Sequence, residues 1–159
     1  VGRINAVAAV LSRKATVEDI SNLELAYSPP FSSALDIVNA LGNAAENLVE
    51  GRFSGIVPDK FENVWQNREN SEYFFLDCRA GQDGQPYVEK YPGLWVNIPQ
   101  DELRNRKDEV PRDKKIILVC NTGVRSYEAQ LNLRELGFSN ETFSIEGGVA
   151  AVDKAGIDL

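Results

Sequence analysis

The sequence contains no histidine, no methionine and only two cysteines among 159 residues, and these shortages limit what the chain can do. Without histidine, neither a Ser-His-Asp triad nor a Cys-His pair can form within the chain. A structural zinc site of cysteine and histidine ligands is excluded for the same reason. We therefore predict no metal site, and any reactive cysteine must be activated by a positive side chain or by backbone dipoles.

Long apolar segments are also missing. No run approaches the roughly 20 residues that span a bilayer, and no charged-then-apolar signal pattern begins the chain. Two cysteines, Cys78 and Cys120, in an acidic chain are typical of reduced cytosolic thiols rather than of a disulfide framework. We expect a cytoplasmic protein without a membrane partner. Because methionine is absent, Val1 is not a natural start, and we expect the chain to be a fragment of a longer protein.

Positive charge is in the minority. Seventeen basic residues stand against twenty-four acidic ones, which gives a net charge of −7. A negative chain repels phosphate backbones and anionic membranes, so we predict no nucleic-acid partner. The length allows one ordinary domain, or a small domain with an attached segment.

Residues 1–50 have the apolar spacing of helices. The first stripe, at i, i+3, i+4 and i+7, predicts a helix and consists of Ile4, Val7, Ala8 and Leu11. Thr16 and Asp19 resemble a capping box that opens a short helix over about 17–24. Ser33 and Asp36 suggest the next cap. The helix that follows is predicted to bury a stripe of Leu35, Val38, Leu41, Ala45 and Leu48.

The pattern changes after residue 60. Residues 51–60 carry two glycines and a proline, and we interpret them as a linker. Short apolar runs then alternate with helical stretches near 100–107, 126–136 and 148–154. The predicted strands are Tyr73–Leu76, Trp95–Ile98, Ile116–Val119 and Thr142–Ile145. This alternation predicts an α/β fold over 61–159, with a mostly parallel central sheet flanked by helices and preceded by the helical segment.

Cys120 directly follows one predicted strand and precedes a helix. Free amides of the loop and of the first helical turn point at such a sulfur, and Arg125 adds a full positive charge. Both favour a thiolate, so Cys120 is the predicted nucleophile. The loop residues expected to hold a sulfur atom on it, mainly through backbone amides, are Asn121, Thr122, Gly123, Val124 and Ser126.

This loop resembles that of a known family. The segment Cys120-Asn-Thr-Gly-Val-Arg-Ser126 is similar to the active-site loop of rhodanese-like domains. Further landmarks of that family are matched, in the right order, by Leu76–Arg79, Pro92–Pro99, Leu136–Phe138 and Glu146–Gly148. The resemblance implies a sulfurtransferase that carries sulfur as a Cys120 persulfide. Its partners would be small sulfur compounds (thiosulfate, polysulfide or coenzyme A persulfide) and an acceptor thiol.

The residues around the loop also admit plain structural interpretations. Cys120 could be an inert strand-end cysteine. Arg125 either braces the loop on carboxylates or contacts the substrate, and a guanidinium can do both. Asp77 and Arg79 are interpreted as supporting residues that anchor a strand end beside the loop. Cys78 is either an inert core thiol or a second thiol, close enough to receive sulfur from Cys120 or to form a disulfide with it.

Two other functions stay open at this point. The domain could be a non-catalytic docking or regulatory module of a flavoprotein. It could also be a cysteine-dependent phosphatase of the same fold. Those enzymes place five residues between cysteine and arginine, whereas four separate Cys120 from Arg125, and the smaller loop favours sulfur over phosphate.

A second resemblance covers residues 17–39. They are similar to the end of the dimerisation domain of flavin-dependent pyridine nucleotide-disulfide reductases, in the branch of coenzyme A-disulfide reductases and NADH oxidases. This implies a parent enzyme that uses FAD, NAD(P)H and coenzyme A, and a homodimer formed through the N-terminal segment. Tyr27 matches a tyrosine near the partner subunit's disulfide site. The chain itself has no Gly-x-Gly-x-x-Gly loop, so we expect no cofactor within it.

Overall fold

The computed structural model describes residues 2–70 and 72–159. They form two compact units, the first ending at Arg52 and the second running from Phe53 to Leu159. Among the described residues, no helix is both long and apolar enough to cross a membrane.

The first unit contains three helices, α1 (Gly2–Leu11), α2 (Val17–Ser21) and α3 (Ile37–Val49). The predicted capping box at Thr16 is confirmed, because its hydroxyl accepts the Asp19 N–H and the Asp19 carboxylate accepts the Thr16 N–H. Asp36 caps α3 by accepting the Val38 N–H at 3.0 Å. Helices α2 and α3 pack so closely at Gly42 that a Cβ atom there would lie 2.4 Å from a backbone nitrogen of α2.

The stripe predicted to be buried along α3 is largely exposed. Val38 is buried, but Leu41 and Leu48 remain 66% and 54% exposed. Three short helices offer too little surface to cover an apolar face of this width. The first unit therefore presents uncovered apolar side chains, which also include Ile4, Leu11, Ile37 and Val49.

The second unit is built on a five-stranded sheet in the order β1-β5-β4-β2-β3, and every neighbouring pair is parallel. Its strands are β1 (Gly55–Ile56), β2 (Tyr73–Asp77), β3 (Trp95–Asn97), β4 (Lys115–Val119) and β5 (Thr142–Ile145). Its helices are α4 (Pro58–Gln66), α5 (Gly81–Lys90), α6 (Val124–Glu135) and α7 (Gly148–Lys154). The predicted fold class is confirmed.

Both faces of the sheet are buried, and alternate residues point to opposite faces. Phe75 and Ile117 join one core cluster, and their neighbours Leu76 and Leu118 join the other. The first cluster contains the aromatic side chains of Phe61, Trp65, Phe75 and Trp95. The carboxyl ends of β2 and β4, which carry the candidate site, are therefore held from both sides.

The interpretation of residues 51–60 as a linker is wrong for most of that range. Gly55 and Ile56 form β1, which lies in register with Ser144 and Ile145 of β5, and α4 begins at Pro58. A two-residue edge strand has no periodicity that a sequence pattern can show. Its hydrogen bonds come from β5, which is distant in the chain.

The helix predicted over 100–107 is also wrong. The segment forms turns that end in a short 3-10 helix at Lys107–Glu109. Leu103 is its only buried side chain among residues 100–107, so no continuous apolar stripe supports a helix. Helix α5 was not predicted, because Gly84 and Pro86 resemble a loop. At Gly84 a Cβ atom would lie 2.4 Å from the Asn97 side chain, so the close packing of α5 on β3 requires glycine.

Candidate active site

Cys120 lies directly after β4, in a four-residue loop that ends where α6 begins at Val124. The backbone N–H of Gly123 donates a hydrogen bond to the Cys120 Sγ at 3.0 Å. Gly123 has a φ of +105°, in the left-handed region that glycine adopts without steric cost. This conformation turns the chain back on itself, so that its amide faces the sulfur.

Two opposing effects act on the pKa of the Cys120 thiol. Burial raises its pKa and is the largest single contribution, but hydrogen bonds outweigh it. Backbone N–H groups of Ser126, Gly123 and Thr122, with the Ser126 hydroxyl, bring the pKa of Cys120 below the ordinary cysteine value. Hydrogen bonds to the charged form stabilise a thiolate. The loop is therefore built to favour a nucleophilic sulfur.

Ser126 is held by a second buried serine. Its Oγ lies 2.7 Å from the Oγ of Ser144 on β5 and 3.0 Å from the Gly123 carbonyl oxygen. Both side chains are fully buried. Sequence reasoning named Ser126 but missed Ser144. The available signal was a serine between the apolar Phe143 and Ile145 of a buried strand.

Replacing Ser126 with alanine is expected to raise the pKa of Cys120, because the hydroxyl hydrogen bond is lost while the backbone N–H remains. Only the thiolate reacts rapidly with iodoacetamide, so the alkylation rate measured against pH reports the titration. Its midpoint should move to higher pH in Ser126→Ala and stay in place in Ser139→Ala, which changes an exposed serine of the same unit. An unmoved midpoint in Ser126→Ala would contradict a role for the hydroxyl.

The loop is fixed from its other side by the start of α7. The N–H of Val149 donates to the Cys120 carbonyl at 2.8 Å, and that of Ala150 donates to the Asn121 carbonyl at 3.1 Å. Gly148 has a φ of +61°, and a Cβ atom there would lie 2.3 Å from the Cys120 carbonyl oxygen. Any side chain at position 148 would therefore displace the loop. From the sequence, Gly148 is only part of a landmark of the resembled family.

Arg125 lies in the first turn of α6 and is half-buried. Within residues 2–70 and 72–159 its guanidinium makes no hydrogen bond or ion pair, so the described residues do not form the carboxylate brace left open above. The side chain borders a cavity of about 350 Å³ together with Cys78, Gln100 and Asp101. Its charge therefore faces an open space, which the acidic residues Asp101 and Glu102 also line.

Asp77 and Arg79 form a buried ion pair at the end of β2. The Arg79 Nη2 donates to the Asp77 Oδ2 at 2.6 Å, and its Nε donates to the Asp77 Oδ1 at 3.0 Å. Trp95 Nε1 donates to the same carboxylate at 3.0 Å, and the guanidinium stacks over Tyr87. The pair therefore joins β2, β3 and α5 at the strand end that neighbours the active loop.

Cys78 lies between Asp77 and Arg79 in the chain, and its N–H donates to the Val119 carbonyl of β4 at 2.8 Å. It is fully buried, and both cysteines are free thiols. Burial raises the pKa of Cys78 well above the ordinary range, the negative charges of Asp77 and Cys120 raise it further, and Arg125 opposes them. At neutral pH Cys78 is therefore a neutral thiol next to a cysteine whose thiolate is favoured.

Comparison with known proteins identifies the family. A model of the rhodanese-like domain matches residues 60–155, which is more than half of the chain. The chain belongs to the rhodanese-like domain family. The thiosulfate sulfurtransferase GlpE of Actinobacillus pleuropneumoniae is 26% identical over 96 residues, which cover 60% of this chain and 85% of that protein.

Two solved structures are similar to this rhodanese-like domain and to the first unit as well. Reduced CoADR-RHD of Bacillus anthracis is 33% identical, with a TM-score of 0.76, over 95% of this chain and 26% of that one. A NAD-dependent persulfide reductase from A. fulgidus is 35% identical, with a TM-score of 0.70, over 94% of this chain and 25% of that one. The chain thus spans about a quarter of each protein, and two curated relatives match over 40% and 59% of their own lengths.

Proposed function

We propose that this rhodanese-like domain is a sulfurtransferase in which Cys120 carries the sulfur. The observation that carries the proposal is the Cys120 loop itself. Its Gly123 amide lies 3.0 Å from the sulfur, and its hydrogen bonds lower the pKa of the thiol. The same amides suit the terminal sulfur of a persulfide, which is also anionic.

The proposed reaction has two steps. The Cys120 thiolate attacks the outer sulfur of a donor such as thiosulfate, a new S–S bond forms, and sulfite leaves with the electron pair of the broken bond. An acceptor thiolate then attacks the outer sulfur of the persulfide, and Cys120 leaves as a thiolate. Arg125 at the cavity edge would attract an anionic donor, and backbone amides of Asn121–Ser126 would hold the bound sulfur.

Mass spectrometry tests the first step directly. After brief treatment with thiosulfate or polysulfide, the chain should gain one sulfur, about 32 Da, on the peptide that contains Cys120. Dithiothreitol should remove the added mass. Sulfur found only on the Cys78 peptide, or on neither cysteine, would contradict the proposal.

We further propose that the domain works within a longer FAD- and NAD(P)H-dependent reductase that acts on coenzyme A disulfide, persulfide or polysulfide. Support comes from the resemblance of residues 17–39 and from the similarity to the two larger proteins above, which includes the first unit. The exposed apolar side chains of that unit, such as Leu41 and Val49, suit contact with the rest of such an enzyme or with a second copy.

We propose that the cofactors FAD and NAD(P)H of that enzyme bind outside this chain. The strand-to-helix turn after β4, where a dinucleotide fold holds phosphate, is occupied here by the Cys120 loop. Absorption spectroscopy checks this, because the intact protein should show flavin bands and oxidise NADH or NADPH with polysulfide, and the present chain should do neither. An intact protein without flavin would overturn the proposed context.

A further inference from the structure

Cys78 and Cys120 occupy equivalent places at the ends of neighbouring strands. The last register pair of β2 and β4 is Asp77 with Val119, and the ladder continues one bond further, from the Cys78 N–H to the Val119 carbonyl at 2.8 Å. In a parallel ladder this bond sets Cys78 opposite Cys120. Neighbouring strands lie about 4.8 Å apart, within the roughly 4.4–6.8 Å between Cα atoms of a disulfide.

The two side chains also share one face of the sheet. Side chains two residues apart along a strand point to the same face, so Cys78 follows Leu76 and Cys120 follows Leu118. Both leucines belong to one core cluster. The cavity of about 350 Å³ reaches Cys78 and Arg125. A small product released between the two sulfurs therefore has a route to solvent.

We propose that Cys78 is a resolving thiol that discharges the Cys120 persulfide when no acceptor arrives, a reaction that rests on the proposed function. The Cys78 sulfur attacks the Sγ of Cys120, the bond from that Sγ to the anionic outer sulfur breaks, and the outer sulfur takes the Cys78 proton as it leaves. The products are one Cys78–Cys120 disulfide and one hydrosulfide ion, so no external oxidant is required.

Discharge is slow compared with normal transfer, because buried Cys78 stays protonated at neutral pH and only a thiolate attacks readily. An acceptor thiol therefore takes the sulfur first whenever it is present. Without an acceptor, the domain ends as a disulfide that cannot accept more sulfur. A dithiol reductant then restores both cysteines by exchange.

In the test, the chain is loaded with sulfur by polysulfide, the excess polysulfide is removed, and the mass of the chain is then followed over time. In the wild type, the added mass of about 32 Da should give way to a product about 2 Da lighter than the reduced chain, with one sulfide released per chain. Non-reducing digestion should show the Cys78 and Cys120 peptides linked. In Cys78→Ala and Cys78→Ser, the persulfide should last about tenfold longer or more, because an intramolecular attack is removed.

A second experiment tests whether Cys78 and Cys120 can form a disulfide when no persulfide is present. Diamide, a thiol oxidant, should link Cys78 to Cys120 in the reduced wild-type chain. No linked peptide, or equal persulfide decay in the wild type and both Cys78 variants, overturns the resolving role and leaves sulfur carriage by Cys120 intact. If neither the wild type nor either Cys78 variant gains sulfur on Cys120, the proposed function and the resolving role are both overturned.

Discussion

Replacing Cys120 with serine is expected to reduce thiosulfate:cyanide sulfur transfer to the uncatalysed rate, a loss of about 10³-fold or more. The hydroxyl of serine is not ionised at neutral pH, and the loop that lowers the pKa of Cys120 cannot make it a comparable nucleophile. The wild type should show two-step kinetics, with sulfite released before cyanide enters. Sulfite and thiocyanate measured separately would establish this order.

Loss of activity in this variant is informative only if the variant folds. Both tryptophans, Trp65 and Trp95, lie in the core of the second unit, so their fluorescence reports on the folding of that unit. Cys120→Ser should keep the wild-type emission and urea midpoint. Transfer that persists in the folded variant would show that another group carries the sulfur. Hydrolysis of an aryl phosphate by the wild type would instead favour the phosphatase interpretation.

Replacing Asp77 with asparagine is expected to lower the free energy of unfolding of the second unit by about 3–5 kcal/mol, the cost of breaking a buried ion pair from one side. Asp77 is fully buried and accepts hydrogen bonds from Arg79 and from Trp95 Nε1. The variant would leave the buried Arg79 guanidinium without its counter-charge. It would also place an amide N–H donor against other donors.

Urea unfolding followed by tryptophan fluorescence measures this effect, since the slope and midpoint together give the free energy. The matched control is Glu135→Gln, which removes the partner of Arg104 in an ion pair whose two side chains are 54% and 64% exposed. An exposed pair contributes about 0–1 kcal/mol, so the control should change little. An Asp77→Asn chain as stable as the control would show that the buried pair does not support the strand end.

The strands with continuous apolar runs could be predicted from the sequence. For β2, β3, β4 and β5, the predicted and observed ends differ by at most one residue. Strand β1 could not be predicted, because two residues have no period and their pairing with β5 is decided by distant backbone groups. Helix α5 could not be predicted either, because its glycines are explained only by close packing on Asn97.

The candidate site, too, could be predicted from the sequence only in part. A cysteine after a strand, with glycine, arginine and serine close behind it, indicated the nucleophile and its loop, and the resemblance to rhodanese-like domains implied that it carries sulfur. Three features of the site needed the structure: Ser144 behind Ser126, the lack of space beside Gly148, and the position of Arg125 at a cavity rather than on a carboxylate. Each depends on residues from separate elements that pack together.

The sequence by itself determined that no histidine activates Cys120, because none exists in the chain. It also placed that cysteine at a strand end, where amides and a helix N-terminus favour a thiolate. Only the tertiary structure decided that Cys78 lies opposite Cys120 and that apolar side chains of the first unit stay exposed. The physical reason is that register and burial depend on how distant segments pair and pack, and local residue patterns do not contain that information.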